Sequence, residues 1–550
     1  MGIKRYGAKK ATTITNAFKG NLVTRGTGSN MGKADILEVF SIYGQNIVGG
    51  TGTNSEDGTQ ELSRLLLQFP VSGATSGEIK ADRTAGTIPA SGSVDFYLRL
   101  YNARHSQTLP RDARYVIQAV SQSWNEGTGL DMEEYTDKGI TNWLTRSAGR
   151  GWQFAGGSYH TASYRTKTNK AKWTLTMPSY EAYLPVGTED IEVNITSMVE
   201  EWIKGTQQNY GLGVRLTSSQ EAFFSQSVGP PWNAGVDPGA KYEQWSNRQG
   251  VIQNPSGSKE SFYTKKFFSN GTQFFFKQPI IEARWDSSKK DRRGNFTYSS
   301  SLASTSDNLQ TLYLYNFVNG QLQNIPGIWR GPIYVHFFSG SGPAGDQVPT
   351  GTHILVATGT MRPDAPKKFY VTGGHYETGI YTASVCLTAS AVNHLTTVFD
   401  VWCSSSNANL NANTEYFTGS FNPQKLKSYA TNQTPEYVTK ITNLKSSYTD
   451  NENPKLRLFI RSKNWSPNIY TVASSDIETS IIEDAYYRVF RLYDNQEVVQ
   501  YGTGSSNLDF TRLSYDVSGN YFDLDLSLFK PDSMYGIKFS YYINGAYKEQ

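Results

Sequence analysis

Apolar residues fall along this chain in short runs separated by Gly-, Asn- and Ser-rich stretches, and long segments with helical periodicity are missing. The runs RLLLQF (64–69), VDFYLRLYNA (94–103) and RYVIQAVSQSW (114–124) show the alternation, or the continuous apolar stretch, of half-buried and buried β-strands. NYGLGVRL (209–216) predicts one more strand. QPIIEARWD (278–286) fits the central strand that returns beside the first to close a jelly roll. Further runs, TLYLYNFV, GPIYVHFFS, THILVATGTM, KKFYVTGG, TGIYTASVCLTA and TTVFDVWCS, have the regular spacing of a small sandwich. PKLRLFIRS, DAYYRVFRLYDNQEVVQYG, NYFDLDLSLF and MYGIKFSYYING predict another. The closing SYYINGAYKEQ reads as an exposed strand edge, a surface suited to strand addition.

One helix is predicted in detail, within DIEVNITSMVEEWIKG (190–205). Ser197 and Glu200 have the S-x-x-E spacing of a capping box, and Met198, Val199, Trp202 and Ile203 share one face that closes an end of the sandwich. Gly205 is placed to end the helix in a left-handed conformation.

At 550 residues the chain is too long for one hydrophobic core. The reading is all-β, in three domains. Residues 1–290 form a jelly-roll β-sandwich with a basic N-terminal arm and a long insertion at 217–277, and residues 310–422 and 430–550 form two Ig-like β-sandwiches. Polar runs at 287–308 and 422–434 serve as linkers. The insertion is long for a surface loop, and such loops on rigid β scaffolds tend to carry function.

Charge narrows the choice of partner. With 52 basic and 48 acidic residues the formal net charge is +4, spread along the chain, which argues against nucleic acid. Lys4, Arg5, Lys9, Lys10 and Lys19 form the one local excess and read as a solvated arm. Cys386 and Cys403 lie in strand-like segments; a disulfide is geometrically open, and a pair of buried thiols is the favoured state. The first residues lack the apolar core of a secretory signal, and no window is apolar enough to span a membrane.

Candidate chemistry is sparse, and no catalytic, cofactor-binding or metal residue is assigned. Glu126, Asp131, Glu133, Glu134 and Asp137 crowd one segment with calcium-like donors, but without EF-hand spacing, so a solvated or subunit-facing loop is favoured. Trp124, Trp143, Trp152, Trp232 and Trp245 lie in or beside loops, where rings can stack on pyranoses; Trp124 and Trp143 bracket the acidic segment as core plugs would, and Trp202 packs beneath the helix. His105, His160, His336, His353, His375 and His394 form neither an H-x-x-x-H nor an HExxH pattern. No GxSxG elbow or phosphate-binding GxxxxGK[ST] loop occurs.

Two resemblances add to this reading. The segment 190–216 resembles the end of DNRLRE-type β-sandwich domains of surface and polysaccharide-associated proteins, through Asn194, Thr196, Val199, Trp202, Gly205, Asn209, Tyr210, Gly211 and Leu216. Longer segments, at 16–45, 82–103, 278–287 and 512–529, resemble a structural protein of contractile-tailed marine phages, especially those of cyanobacteria. The second resemblance implies a non-enzymatic virion protein, a compact decorating, collar, neck, tail or baseplate-associated subunit rather than a complete long fibre. It would be made in the host cytoplasm and would bind other virion proteins and copies of itself. The first implies an alternative, a module recognising a host-surface glycan; a polysaccharide depolymerase ranks below both.

Overall fold

The computed structural model describes residues 2–22, 24–42, 60–105, 109–137, 139–160, 177–224, 250–252, 254–300, 303–340, 353–356, 368–388, 395–407, 413–424, 435–450, 452–466, 469, 479–503 and 508–550. The protein is all-β, 41% strand and 8% helix, with antiparallel sheets that form β-sandwich domains. It divides into two compact units, Gly2–Trp285 and Asp286–Gln550.

Among the described residues the first unit holds thirteen strands: β1 Ile3–Gly7, β2 Lys10–Thr15, β3 Ile36–Ile42, β4 Glu61–Gln68, β5 Asp95–Leu100, β6 Ala113–Ala119, β7 Thr145–Ser147, β8 Arg150–Gly151, β9 Tyr180–Leu184, β10 Ile191–Asn194, β11 Leu212–Leu216, β12 Phe262–Phe268 and β13 Ile280–Arg284. One sheet runs β1-β13-β5-β10; the other runs β12-β3-β4-β11-β6-β9, with β2 also paired to β4. Strand β13 lies between β1 and β5, the return expected of QPIIEARWD. Between the sheets sits the main core, with Leu65 and Leu67 of β4, Phe96 and Leu98 of β5, and Ile281 and Ala283 of β13.

The alternate residues of β4 are buried as well. Leu62 and Leu66 join Ile14, Trp124, Trp143, Trp152 and Ala222 in a second cluster on the other face of the larger sheet. Mostly irregular chain from 120–137, 139–160, 217–224, 250–252 and 254–258 therefore forms a third layer, which explains why Leu65, Leu66 and Leu67 follow one another: a strand covered on both faces has no solvent side.

The expected solvated basic arm is part of the fold: Lys4 and Arg5 lie in β1 and Lys10 in β2, one strand for each sheet. Its cations meet carboxylates of the fold, Lys4 with Asp82, Arg5 with Glu282 and Lys9 with Glu78, partners that a local count of charge does not reveal. Nor is 217–277 one long insertion, because Phe262–Phe268 is an edge strand paired to β3. Bridges at Ala222/Ser258 and Phe224/Asn254 fasten its near end.

Helix α1, Ile79–Thr84, precedes α2, Thr196–Lys204. Met198, Val199 and Trp202 of α2 are buried in the main core, Ile203 packs at its margin, and Gly205 ends the helix at φ 78°. The capping box does not form. Arg83 of α1 takes both carboxylate oxygens of Glu200, at 2.8 and 2.7 Å, and a charge-assisted pair is stronger than a bond to a neutral backbone N–H. The Asn-Tyr-Gly turn before β11 docks on the end of β4: Asn209 Nδ2 donates to Phe69 O, Gln68 Nε2 donates to Asn209 O, and Gly211 N donates to Asn209 Oδ1.

The second unit opens with β14 Gln310–Tyr315, followed by the small hairpin β15 Phe317–Val318 and β16 Gln321–Leu322. Next come β17 Ile333–Ser339, β18 Tyr370–Glu377, β19 Ile380–Val385, β20 Val398–Cys403 and β21 Glu415–Phe421, giving a sheet in the order β14-β19-β18-β17-β20-β21. Leu312 and Leu314 from one edge share a core with Phe421 from the other, so the sheet curls around its own interior. The expected THILVATGTM strand is reduced, among the described residues, to isolated bridges at His353 and Val356. The rest of the unit contains β22 Tyr437–Ile441, β23 Lys455–Ser462, β24 Ala485–Arg491, β25 Glu497–Val499, β26 Ser514–Asp516, β27 Gly519–Asp523, β28 Tyr535–Ile543 and β29 Ala546–Glu549. Two four-stranded sheets, β22-β23-β27-β26 and β25-β24-β28-β29, pack together through Tyr487, Phe522 and Phe539.

The polar run at 287–308 is not a linker. Arg293 is buried and donates to Asp400 Oδ2 at 2.5 Å, to Asp291 Oδ2 at 2.7 Å and to Tyr313 O at 2.5 Å, tying β20 to β14. Phe296 is fully buried and stacks on Phe421 at 4.3 Å. On its other side the run bridges Lys290 to Tyr515, and Arg292 and Asn295 reach Glu483. A few buried side chains join the curled sheet to the C-terminal sandwich, which average polarity conceals.

Gly211 tests the docking turn. Its φ is 90°, and a Cβ there would collide with the Leu67 carbonyl oxygen. Gly211→Ala is expected to cost at least about 2 kcal/mol, read as a lowered urea midpoint for the first unit.

Candidate functional site

The acidic segment is used by the fold itself. Glu126 accepts from the backbone N of Ala11, from Asn270 Nδ2 and from Lys33 Nζ. Asp131 Oδ1 accepts from the N–H groups of Glu133, Glu134 and Tyr135, and these bonds, that of Glu134 foremost, hold its carboxyl below the usual range. Glu133 accepts from Gly20 N, and Asp137 accepts from the N and Oγ1 of Thr128. Carboxylates committed to N–H and ammonium donors are poorly placed to converge on calcium. Among the described residues no three His, Cys, Asp or Glu side chains stand together as a metal site. Beside this segment an open groove of about 530 Å³ lies between β2 and β3, lined by Thr13, Thr15, Glu38, Phe40 and Met132 among others.

The indoles expected near loops are core. Trp124, Trp143 and Trp152 are 3%, 0% and 2% exposed, and their Nε1 groups donate to the carbonyls of Tyr210, Gly250 and Asn142. None offers a ring face to a sugar. Trp232 and Trp245 lie outside the described residues, as does His394. Beneath Trp143 sits the buried pair Arg64–Glu221, bidentate at 2.8 and 2.7 Å, with Arg64 also donating to Gly156 O. An arginine opening the run RLLLQF was the available signal, since a cation in a strand covered on both faces requires a partner.

A second buried ionic group lies on the smaller sheet, on the side away from the core. Glu282 of β13 accepts from Arg5 at 2.9 Å and Arg284 at 2.8 Å, with Arg99 at 3.5 Å; Arg284 continues to Glu192 at 2.7 Å. Burial alone would raise the pKa of Glu282, but Arg5, Arg99 and Arg284 outweigh it and hold the carboxyl well below its ordinary value. Cys386 and Cys403 are free, buried thiols. Burial pushes Cys403 up to about 11, so neither its pKa nor its exposure suits a nucleophile.

The last hairpin combines an open strand edge with exposed aromatic rings. Strand β29 pairs with β28 and stands at the edge of its sheet. Asn544 and Gly545 take φ 51° and 82°, the pair of positive angles that a tight two-residue hairpin turn requires. Tyr542 and Tyr547 face each other across it, 45% and 38% exposed, with ring centroids 5.0 Å apart. Glu549 is held by Lys538 and Arg488. The Asn-Gly dipeptide between apolar runs was the sequence signal for this turn.

No protein-family model matches the chain, and no curated protein is similar to it. Solved structures give two weak comparisons: Salmonella α2-macroglobulin reacted with methylamine, at 8% identity and TM-score 0.11, and a mutant of the same protein, at 9% and 0.10. Each alignment covers all of this chain but 34% of the other, and at these scores neither bears on fold or function.

Two measurements test the buried charges. Arg64→Met should cost about 3 kcal/mol by leaving Glu221 to the more distant Arg215 at 3.7 Å, and the double variant Arg64→Met with Glu221→Leu should recover part of that loss in urea unfolding. For Glu282, the folded pKa is depressed. Its stabilisation is therefore complete above the unfolded value of about 4.3 and is lost as pH falls below that value. Glu282→Gln should be weaker than the unmodified chain at pH 7 and should lose less of its remaining stability between pH 7 and pH 3.5.

Proposed function

We propose that this chain is a non-enzymatic structural protein of a tailed-phage virion, a compact subunit of the tail, neck, collar, baseplate or capsid exterior that binds neighbouring virion proteins and copies of itself. The observation that carries the reading is the β29 edge, where an ordered strand leaves backbone donors and acceptors open beside the exposed pair Tyr542 and Tyr547. Strand addition uses such an edge for affinity, and tyrosine supplies large, stiff, amphipathic contact area. The segment resemblances at 16–45, 82–103, 278–287 and 512–529 support the virion assignment. Glycan recognition loses support from Trp124, Trp143 and Trp152, whose rings are buried.

Cryo-electron microscopy of the virion tests this directly, with Tyr542 and Tyr547 expected in contact with another chain. A companion truncation after Ile543 removes β29 but keeps β28, which pairs with β24 over seven residues from Ala485–Tyr541 to Arg491–Tyr535. That chain should fold yet incorporate poorly into particles. A hairpin facing solvent in every copy, together with normal incorporation of the truncated chain, would overturn the proposal.

A further inference from the structure

Two histidines in the second unit have buried ring nitrogens with no hydrogen-bond partner among the described residues. His336 of β17 is fully buried, on the face of the curled sheet that turns away from its core. Its Nε2 lies 3.1 Å from the Ser405 carbonyl oxygen. A carbonyl only accepts, so Nε2 carries the proton and Nδ1 presents a bare lone pair. That Nδ1 is buried and without a partner, and so is Nε2 of His353. The two ring centroids are 5.8 Å apart.

The surroundings are aromatic. Phe338 stacks on His353 at 4.0 Å, Phe369 lies 5.3 Å from it, and Tyr370 lies 5.8 Å from His336. Leaving a buried polar atom unsatisfied costs about 1–3 kcal/mol, so two of them in adjoining rings point to a species that fits between them.

From these contacts we infer that His336 Nδ1 and His353 Nε2 form a binding site for an imidazole-preferring divalent transition ion, of the class of copper(II), nickel or zinc, with water filling the remaining positions. With metal–nitrogen bonds of about 2.0–2.1 Å, two rings on one tetrahedral ion have centroids roughly 5–6 Å apart, as these do. The Ser405 carbonyl supplies the outer-shell acceptor that commonly orients a ligating histidine. No third His, Cys, Asp or Glu among the described residues joins the pair, so the site is of modest affinity and exchanges its ion.

The test is a titration of the full chain with Cu²⁺, followed by electron paramagnetic resonance. One equivalent should bind with hyperfine structure from two imidazole nitrogens. His353→Gln and His336→Gln should each weaken binding at least about tenfold, while His375→Gln leaves it unchanged. Equal binding by all three variants, or a signal lacking the two-nitrogen pattern, would overturn the assignment. Should the His336 variant fail to fold, anomalous scattering at the zinc edge from crystals of the unmodified chain decides the matter. A peak between the two rings supports the site; a peak elsewhere, or none, refutes it.

Discussion

Strand β4 is buried on both faces, and the first unit is organised by the consequences. Leu65 and Leu67 look into the core between the sheets, while Leu62 and Leu66 look into the tryptophan cluster outside them. The covering layer is mostly irregular chain, and irregular chain has no ladder to satisfy its backbone groups. Side chains share that work with scattered backbone bonds such as Asn125 N to Arg146 O and Gly156 N to Trp143 O. Trp124, Trp143 and Trp152 donate to carbonyls, Gln60 takes Ala222 and Ile252, and Asn30 bridges the carbonyls of Glu126 and Thr141. The Arg64–Glu221 pair fixes this layer at one point, because a guanidinium and a carboxylate in an apolar surround have few other acceptable partners.

The second unit follows the same rule with different residues. Arg293 and Asp400 are buried in the wall of a curled sheet, and Trp402 Nε1 adds a third donor to the same Asp400 oxygen. Around that anchor, Phe296 and the Lys290 bridge connect the curled sheet to the sandwich beyond it. Both units thus use a few paired buried charges to tie segments that are distant in the chain.

This economy bears on function. The acidic segment and three tryptophans were the features of the sequence most suggestive of ligands, and both are spent on holding loops in place. Among the features that the described residues leave open are the groove between β2 and β3, the β29 edge with its tyrosine pair, and the two histidine nitrogens near Ser405. An assembly subunit needs surfaces like that edge.

The sequence by itself determined the class of many elements, because a period of two and turn residues act over a few neighbours. Strands β4, β5, β6, β13, β17, β20 and β24, the core face of α2, the stop at Gly205 and the Asn544–Gly545 hairpin were all legible in this way. Tertiary structure alone decided which charges met. Arg5 with Glu282, Arg83 with Glu200, Arg64 with Glu221 and Arg293 with Asp400 join residues far apart in the chain, and no local window contains both members. For that reason an apparently solvated arm became two strands and an apparent linker became a buried wall. Hydrophobic patterning is a local property, whereas the partner of a buried charge is set by the packing that removes water from both.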